Sequence, residues 1–432
     1  MAATNAGGGT GSSAGSALER LTRAEYGRVL AIVIRLVGDF AVAEEAVSEA
    51  LAVAAERWPR EGEPANPRAW LVATARHKAL DALRRAGRLE RIRRELGREA
   101  EPHVEPDVDE MCDAAIPDER LRLIFTCCHP MLALEAQVAL ALRTLCGLST
   151  EEIARAFLVP PATLAQRIVR AKRRIAEARV PYEVPPPELL PERLGAVLAV
   201  VYLVFNEGYA ASRGDALLRT DLCAEAIRLG RLVVELLRGP AAPGGREASP
   251  EAAGLLALML LHDARRATRT DEGGDLVLLE DQDRSRWDRA QIEEGLALAR
   301  VALASPRPGP YALQAAIAAE HVRAAHVEAT DWAAIARHYA ALAALRPSPV
   351  VELNRAVAVA MAEGPAAGLA RLDELERAGA LAGYHHFWSA KADLLRRLGR
   401  RPDAADAYRR ALELAATEPE RRFLARRLAE MA

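Results

Sequence analysis

Apolar residues recur at three- and four-residue spacing along almost the whole chain, and the period-two alternation of a half-buried strand is nearly absent. This pattern predicts an all-α fold, because a helix-period stripe laid on a strand would scatter its apolar side chains over both faces. Aromatic residues are only 4 % and alanine is abundant, so the helices are expected to pack closely on small side chains. At 432 residues the chain exceeds one hydrophobic core and divides into two or three domains.

Breaks in the periodicity place the boundaries. Residues 1–17, rich in Gly, Ser and Ala, have neither a cationic lead nor an apolar core and read as a disordered tail rather than a signal peptide. A first helical domain covers 18–98. Residues 99–116 form an acidic, proline-bearing linker. A second helical domain covers 117–180, and a proline-rich connector leads to a helical extension over 188–432. In that extension Ala324, Ala358 and Ala392 repeat every 34 residues, as do Ala336, Ala370 and Ala404. With Trp388, Leu395, Gly399, Tyr408 and Ala411 in the last unit, this predicts tetratricopeptide-like (TPR-like) repeats from about residue 310.

The net charge of −2 hides local poles. Seven arginines stand between Arg84 and Arg98, nine acidic residues between Glu99 and Glu119, and seven basic residues between Arg155 and Arg179. Six of these last seven lie in LSTEEIARAFLVPPATLAQRIVRAKRRI. Ser149 and Glu152 form a capping box that starts a first helix, Ile153, Ala154 and Phe157 face inward, and Pro160 and Pro161 begin a second helix. Leu164, Ile168 and Ala171 hold the core of that second helix. Thr163, Gln166, Arg167, Arg170, Arg173 and Arg174 are left on other faces, the layout of a helix-turn-helix whose second helix enters the major groove. Thr and Gln can bond base edges, Arg can grip guanine, and the later cations can reach phosphates. A solvated cationic surface helix is the simpler alternative.

GDFAVAEEAVSEALAVAAERW, NPRAWLVATARHKALDALRR and the helix-turn-helix stretch, in that order, resemble the extracytoplasmic-function sigma factors of bacterial RNA polymerase over about residues 20–180. RLIFTCCHPMLALEAQVALALR and the long tail are similar to the subgroup with a TPR-type extension. The resemblance implies two small sigma domains and an alternative sigma factor that binds core RNA polymerase and promoter DNA. It implies that Glu45, Ser48 and Glu49 dock on the β′ clamp and that the second domain meets the β flap. Arg76, His77, Lys78, Asp81, Arg84 and Arg85 would read the −10 element beside a loop over Trp58–Asn66, with the helix-turn-helix on the −35 element. The family usually has Asn where His77 stands, and Gly is common in this turn where Leu158 stands. Trp70 reads as core rather than as a stacking platform. A helix-turn-helix regulator with a TPR partner or ligand domain is the rival reading.

Two clusters stay open. In TCCHP, Cys127, Cys128 and His129 with Cys112 or His103 read as zinc ligands or, more simply, as core, since adjacent cysteines seldom both ligate. His262, Asp263, Asp281, Asp283, Arg284, Arg286, Trp287 and Asp288 read as a regulatory site or as a capping and salt-bridge network. No nucleophile and base pair, phosphate loop or zinc signature points to an enzyme, and no cofactor or metal is expected. Five cysteines without paired spacing and no apolar run of membrane-spanning length predict a cytoplasmic protein with no membrane contact. A protein partner on the C-terminal repeats is a further expectation.

Overall fold

The structure is a computed structural model that describes residues 25–85, 116–157, 159–178, 180–209, 220–238 and 249–431. It falls into two compact units that part between Val200 and Val201. The expected tail at 1–17 and the acidic linker at 99–116, apart from its last residue, lie outside the described residues, as do Leu158, Cys112 and His103.

In the first unit, α1 (25–37) ends at Gly38, whose positive φ of 73° suits glycine. Asp39 then starts α2 (Phe40–Glu61) by accepting bonds from the backbone of Ala41 and Val42 at 2.9 and 3.0 Å. Asn66 likewise caps α3 (Pro67–Arg85), accepting from Ala69 at 3.1 Å. The buried stripe of α2 is Ala43, Ala46, Val47, Ala50 and Ala54, with Val42 and Val53 only half-buried at its margin. The same stripe takes in Glu44, 9 % exposed. Two cations, Arg143 and Lys172, hold it in. The expected loop at Trp58–Asn66 also starts later. Helix α2 runs through Pro59 to Glu61, and Trp58 packs edge-on against Trp70 with ring centroids 5.4 Å apart, which ties the last turn to α3.

The rest of this unit comprises α4 (Ile116–Cys127), α5 (Leu134–Leu145), α6 (Thr150–Ala156), α7 (Pro161–Glu177) and the start of α8 (Leu190–Tyr209). Helices α1–α3 and α4–α7 touch directly. Tyr182, in the connector, donates to the Glu119 carbonyl at 3.0 Å and reaches the Ala31 carbonyl at 3.4 Å, so one phenol joins the two groups of helices. The buried Glu119 carboxylate faces Arg122 at 3.2 Å and Arg35 at 3.7 Å.

The second unit is built from the remainder of α8 and from α9 (Thr220–Leu236), α10 (Pro250–Asp263), α11 (Arg289–Leu303), α12 (Pro310–Arg323), α13 (Trp332–Leu345), α14 (Pro349–Glu363), α15 (Pro365–Ala378), α16 (His385–Arg397), α17 (Arg401–Leu414) and α18 (Glu418–Ala429). From α11 on, each helix packs on the next in sequence. Small residues set the spacing: a Cβ on Gly254 would come within 2.7 Å of the Ala312 amide, and one on Gly368 within 2.4 Å of the Ala360 Cβ. Of the 34-residue alanine series, Ala358, Ala392 and Ala404 are buried while Ala370 is exposed. Leu395, Tyr408 and Ala411 all lie in the core of the last helices. Among the described residues the only β pairing is a bridge between Thr270 and Leu276, and no helix is long and apolar enough to cross a membrane.

Candidate nucleic-acid interface

The helix-turn-helix forms from α6 and α7 by the local signals quoted above. Ser149 Oγ accepts from the Glu152 amide at 3.0 Å and Glu152 Oε2 from the Ser149 amide at 2.7 Å, a reciprocal capping box. Pro161 is the first residue of α7, where its missing N–H costs nothing. Leu164, Ile168, Ala171 and Ile175 are buried against α5 and α6. Thr163, Gln166, Arg170, Arg173 and Arg174 are exposed and Arg167 is half-buried. Among the described residues Arg173 alone of the four arginines has an ion pair, with Glu177 at 2.6 Å. Val169, 62 % exposed, stands on the same face as Gln166 and Arg173, an apolar side chain with no core to serve. Sequence reasoning passed over it, although its place outside the apolar stripe was visible.

On α2 and α3 the structure places Glu45, Ser48 and Glu49 on the exposed side of α2. His77, Asp81, Arg84 and Arg85 are exposed on α3, with Arg76 and Lys78 half-buried. Lys78 pairs with Glu49 at 3.2 Å, joining one of the expected −10 residues to one of the expected polymerase contacts. His77 Nδ1 donates to the Ala73 carbonyl at 2.9 Å, which turns its other nitrogen outward. Arg84 contacts the Asp81 carboxylate at 3.3 Å and Arg85 its carbonyl at 3.2 Å.

Lys172 belongs to α7 but looks the other way. Its ammonium is bonded to Glu44 of α2, and Arg143 of α5 approaches the same carboxylate at 3.9 Å. Nothing in the linear spacing announced this contact, because 128 residues separate the partners.

The eight residues of the second-unit cluster are divided by the structure. Asp283 and Asp288 cap short turns and helices: Asp283 accepts from Ser285, and Asp288 from Gln291 at the start of α11. Asp281 and Arg286 are exposed. Asp263 is buried and accepts from Arg266 at 3.0 Å and Gln291 at 3.2 Å. Trp287, 3 % exposed, donates to Thr268 at 3.0 Å and lies under the Arg284 guanidinium at 4.7 Å. Arg284 also donates to the carbonyls of His321 and Ala324, both at 2.7 Å. His262 meets Tyr209 at 3.2 Å, and burial, with Arg265 and Arg269 beside it, holds its pKa well below the ordinary value.

Cys127, Cys128 and Cys146 are buried in the first unit and Cys223 in the second. Burial pushes the Cys127 thiol up to about 12, and its sulfur lies 3.0 Å from the Thr144 hydroxyl. Cys127 and Cys128 thus pack into the core, with His129 half-buried beside them.

A helix-turn-helix with an open cationic face, packed on a second helical module bearing acidic and basic surfaces, defines a helical DNA-binding transcription protein. Comparison with known proteins then adds that residues 21–89 match Sigma-70 region 2, residues 122–175 match Sigma-70, region 4, and residues 193–303 match a family of unknown function (DUF6596). The chain is also similar to an uncharacterised protein of Rhizobium meliloti (strain 1021), 44 % identical over 407 residues that cover 94 % of this chain and 93 % of that one. The chain belongs to the sigma-70 family, with the extracytoplasmic-function arrangement of regions 2 and 4 followed by a helical extension. Such a protein recognises promoter DNA together with core RNA polymerase and is not an enzyme.

Proposed function

We propose that the two sigma domains divide the promoter between them and that the extension governs their use. Helix α7 reads the −35 duplex, with Thr163, Gln166 and Arg167 on base edges and Arg170, Arg173 and Arg174 on phosphates. The observation that carries this reading is the separation on one helix of a fully buried apolar stripe from an exposed cationic face. Val169 suits the methyl group of a thymine at the centre of that contact.

Arg76, His77, Lys78, Asp81, Arg84 and Arg85 serve the −10 element, where a base turned out of the stack enters the loop between α2 and α3. Glu45, Ser48 and Glu49 dock on the β′ clamp, and the second sigma domain meets the β flap. The extension gates or supports activity and offers its helical repeats to a protein partner. All of this belongs in the cytoplasm.

Reconstitution with core polymerase and a promoter library tests the reading. Co-elution with core enzyme and start sites that depend on both elements are expected; operator binding without any association with core enzyme would favour a conventional regulator. Removing residues after 185 tests the extension, and unchanged promoter-dependent output would remove it from the mechanism.

A further inference from the structure

His385 opens α16, His386 follows it, and Glu420 lies in the first turn of α18. One ligand atom from each of the three lies within 4.8 Å of those of the others. His385 Nε2 is buried and stands 3.2 Å from Glu420 Oε1. Two donors bound to one tetrahedral ion at 2.0–2.2 Å stand about 3.4 Å apart, which is close to this separation. Adjacent residues seldom both ligate, but here the two imidazoles lie with centroids 3.8 Å apart, so that a ring nitrogen of each converges with the Glu420 carboxylate. The other oxygen of Glu420 is already engaged, accepting from the Thr417 amide at 3.2 Å, which fixes the carboxylate in place.

We propose that His385, His386 and Glu420 form a divalent transition-metal site, with Zn²⁺ as the ion that two imidazoles and one carboxylate fit best. Three protein ligands leave one coordination position open. His386 also lines a cavity of about 350 Å³ shared with Trp332, Tyr408 and Phe423, so that position is supplied with water from the cavity. The ion joins the start of α16 to the start of α18, two helices between which α17 otherwise intervenes. The site is independent of how the sigma domains use DNA.

The full chain, stripped with a chelator and freed of it by gel filtration, is titrated with Zn²⁺ by calorimetry and its melting followed with and without the ion. One Zn²⁺ per chain and a raised Tm are expected. His386→Ala and Glu420→Gln should each weaken binding at least about tenfold. Glu420→Gln keeps an oxygen for the Thr417 amide and so preserves the cap, and circular dichroism checks that both variants fold. Co²⁺ in place of Zn²⁺ should show visible bands of nitrogen and oxygen ligation without a thiolate charge-transfer band. No stoichiometric binding, binding unchanged in both variants, or a thiolate band would each overturn the site.

Discussion

On α7 the guanidinium groups of Arg167, Arg170 and Arg174 have no carboxylate beside them among the described residues, whereas in the second unit Arg265, Arg269 and Arg284 lie over aromatic rings. Arg269 also donates to the Tyr209 carbonyl and Arg284 to two more carbonyls. The same residue type is thus kept available for a partner in one region and consumed by the fold in the other. What separates them is the neighbourhood: α7 presents its arginines on a helix with only one face packed, and the second unit inserts its arginines between helices that supply rings and carbonyls. Cationic density in a sequence therefore marks a binding surface only when the intervening residues keep the cations out of the core.

The contrast can be broken most sharply at Trp287. Trp287→Ala should destabilise the second unit by roughly 3–5 kcal/mol, since it empties a buried ring site and strips the Arg284 and Thr268 contacts, and chemical denaturation followed by circular dichroism measures this. Acid should act on the same region. Burial first, then Arg265 and Arg284, lower the pKa of His321 from 6.5 to about 4. Below pH 6.5 the unfolded chain takes up a proton that the folded chain declines until about pH 4, so stability is complete above 6.5 and falls as the pH drops towards 4. The loss for this group is at most about 3 kcal/mol, and His321→Gln should flatten the pH dependence of Tm over that window.

On α7 the expected effects concern DNA rather than folding. Arg167→Ala should cost about 1–3 kcal/mol of discrimination at one base pair of the −35 element; uniform weakening on all sequences in a binding array would make Arg167 a phosphate contact instead. Ser149→Ala removes half of the capping box and should cost about 1 kcal/mol of stability, read by thermal denaturation. Smallest of all, Arg170→Ala and Arg174→Ala should change stability by no more than about 0.5 kcal/mol while each lowers the salt slope of DNA binding by about one. A larger stability loss would show that these arginines are used by the fold after all.

The helix-turn-helix was legible because all its determinants are local. Capping box, paired prolines and the Leu164, Ile168 and Ala171 stripe lie within 28 residues, and each acts on the backbone beside it. The buried stripe of α2 is harder to read from the chain, since its alanines give weak contrast and the partner that draws Glu44 inward is distant in sequence. Helix α2 outran its expected end because Trp58 finds Trp70, a tertiary contact that overrides a proline break. His385, His386 and Glu420 were missed altogether: 34 residues and an intervening helix separate the pair from the glutamate, and no local ligand spacing reveals them.

The bond between Lys172 and Glu44 sets a condition on how such a molecule could straddle a promoter. Elements named for positions 25 base pairs apart are separated by about 85 Å of duplex, far more than two modules fastened side by side can span. A molecule that held both elements at once, as proposed, would first have to part Lys172 from Glu44.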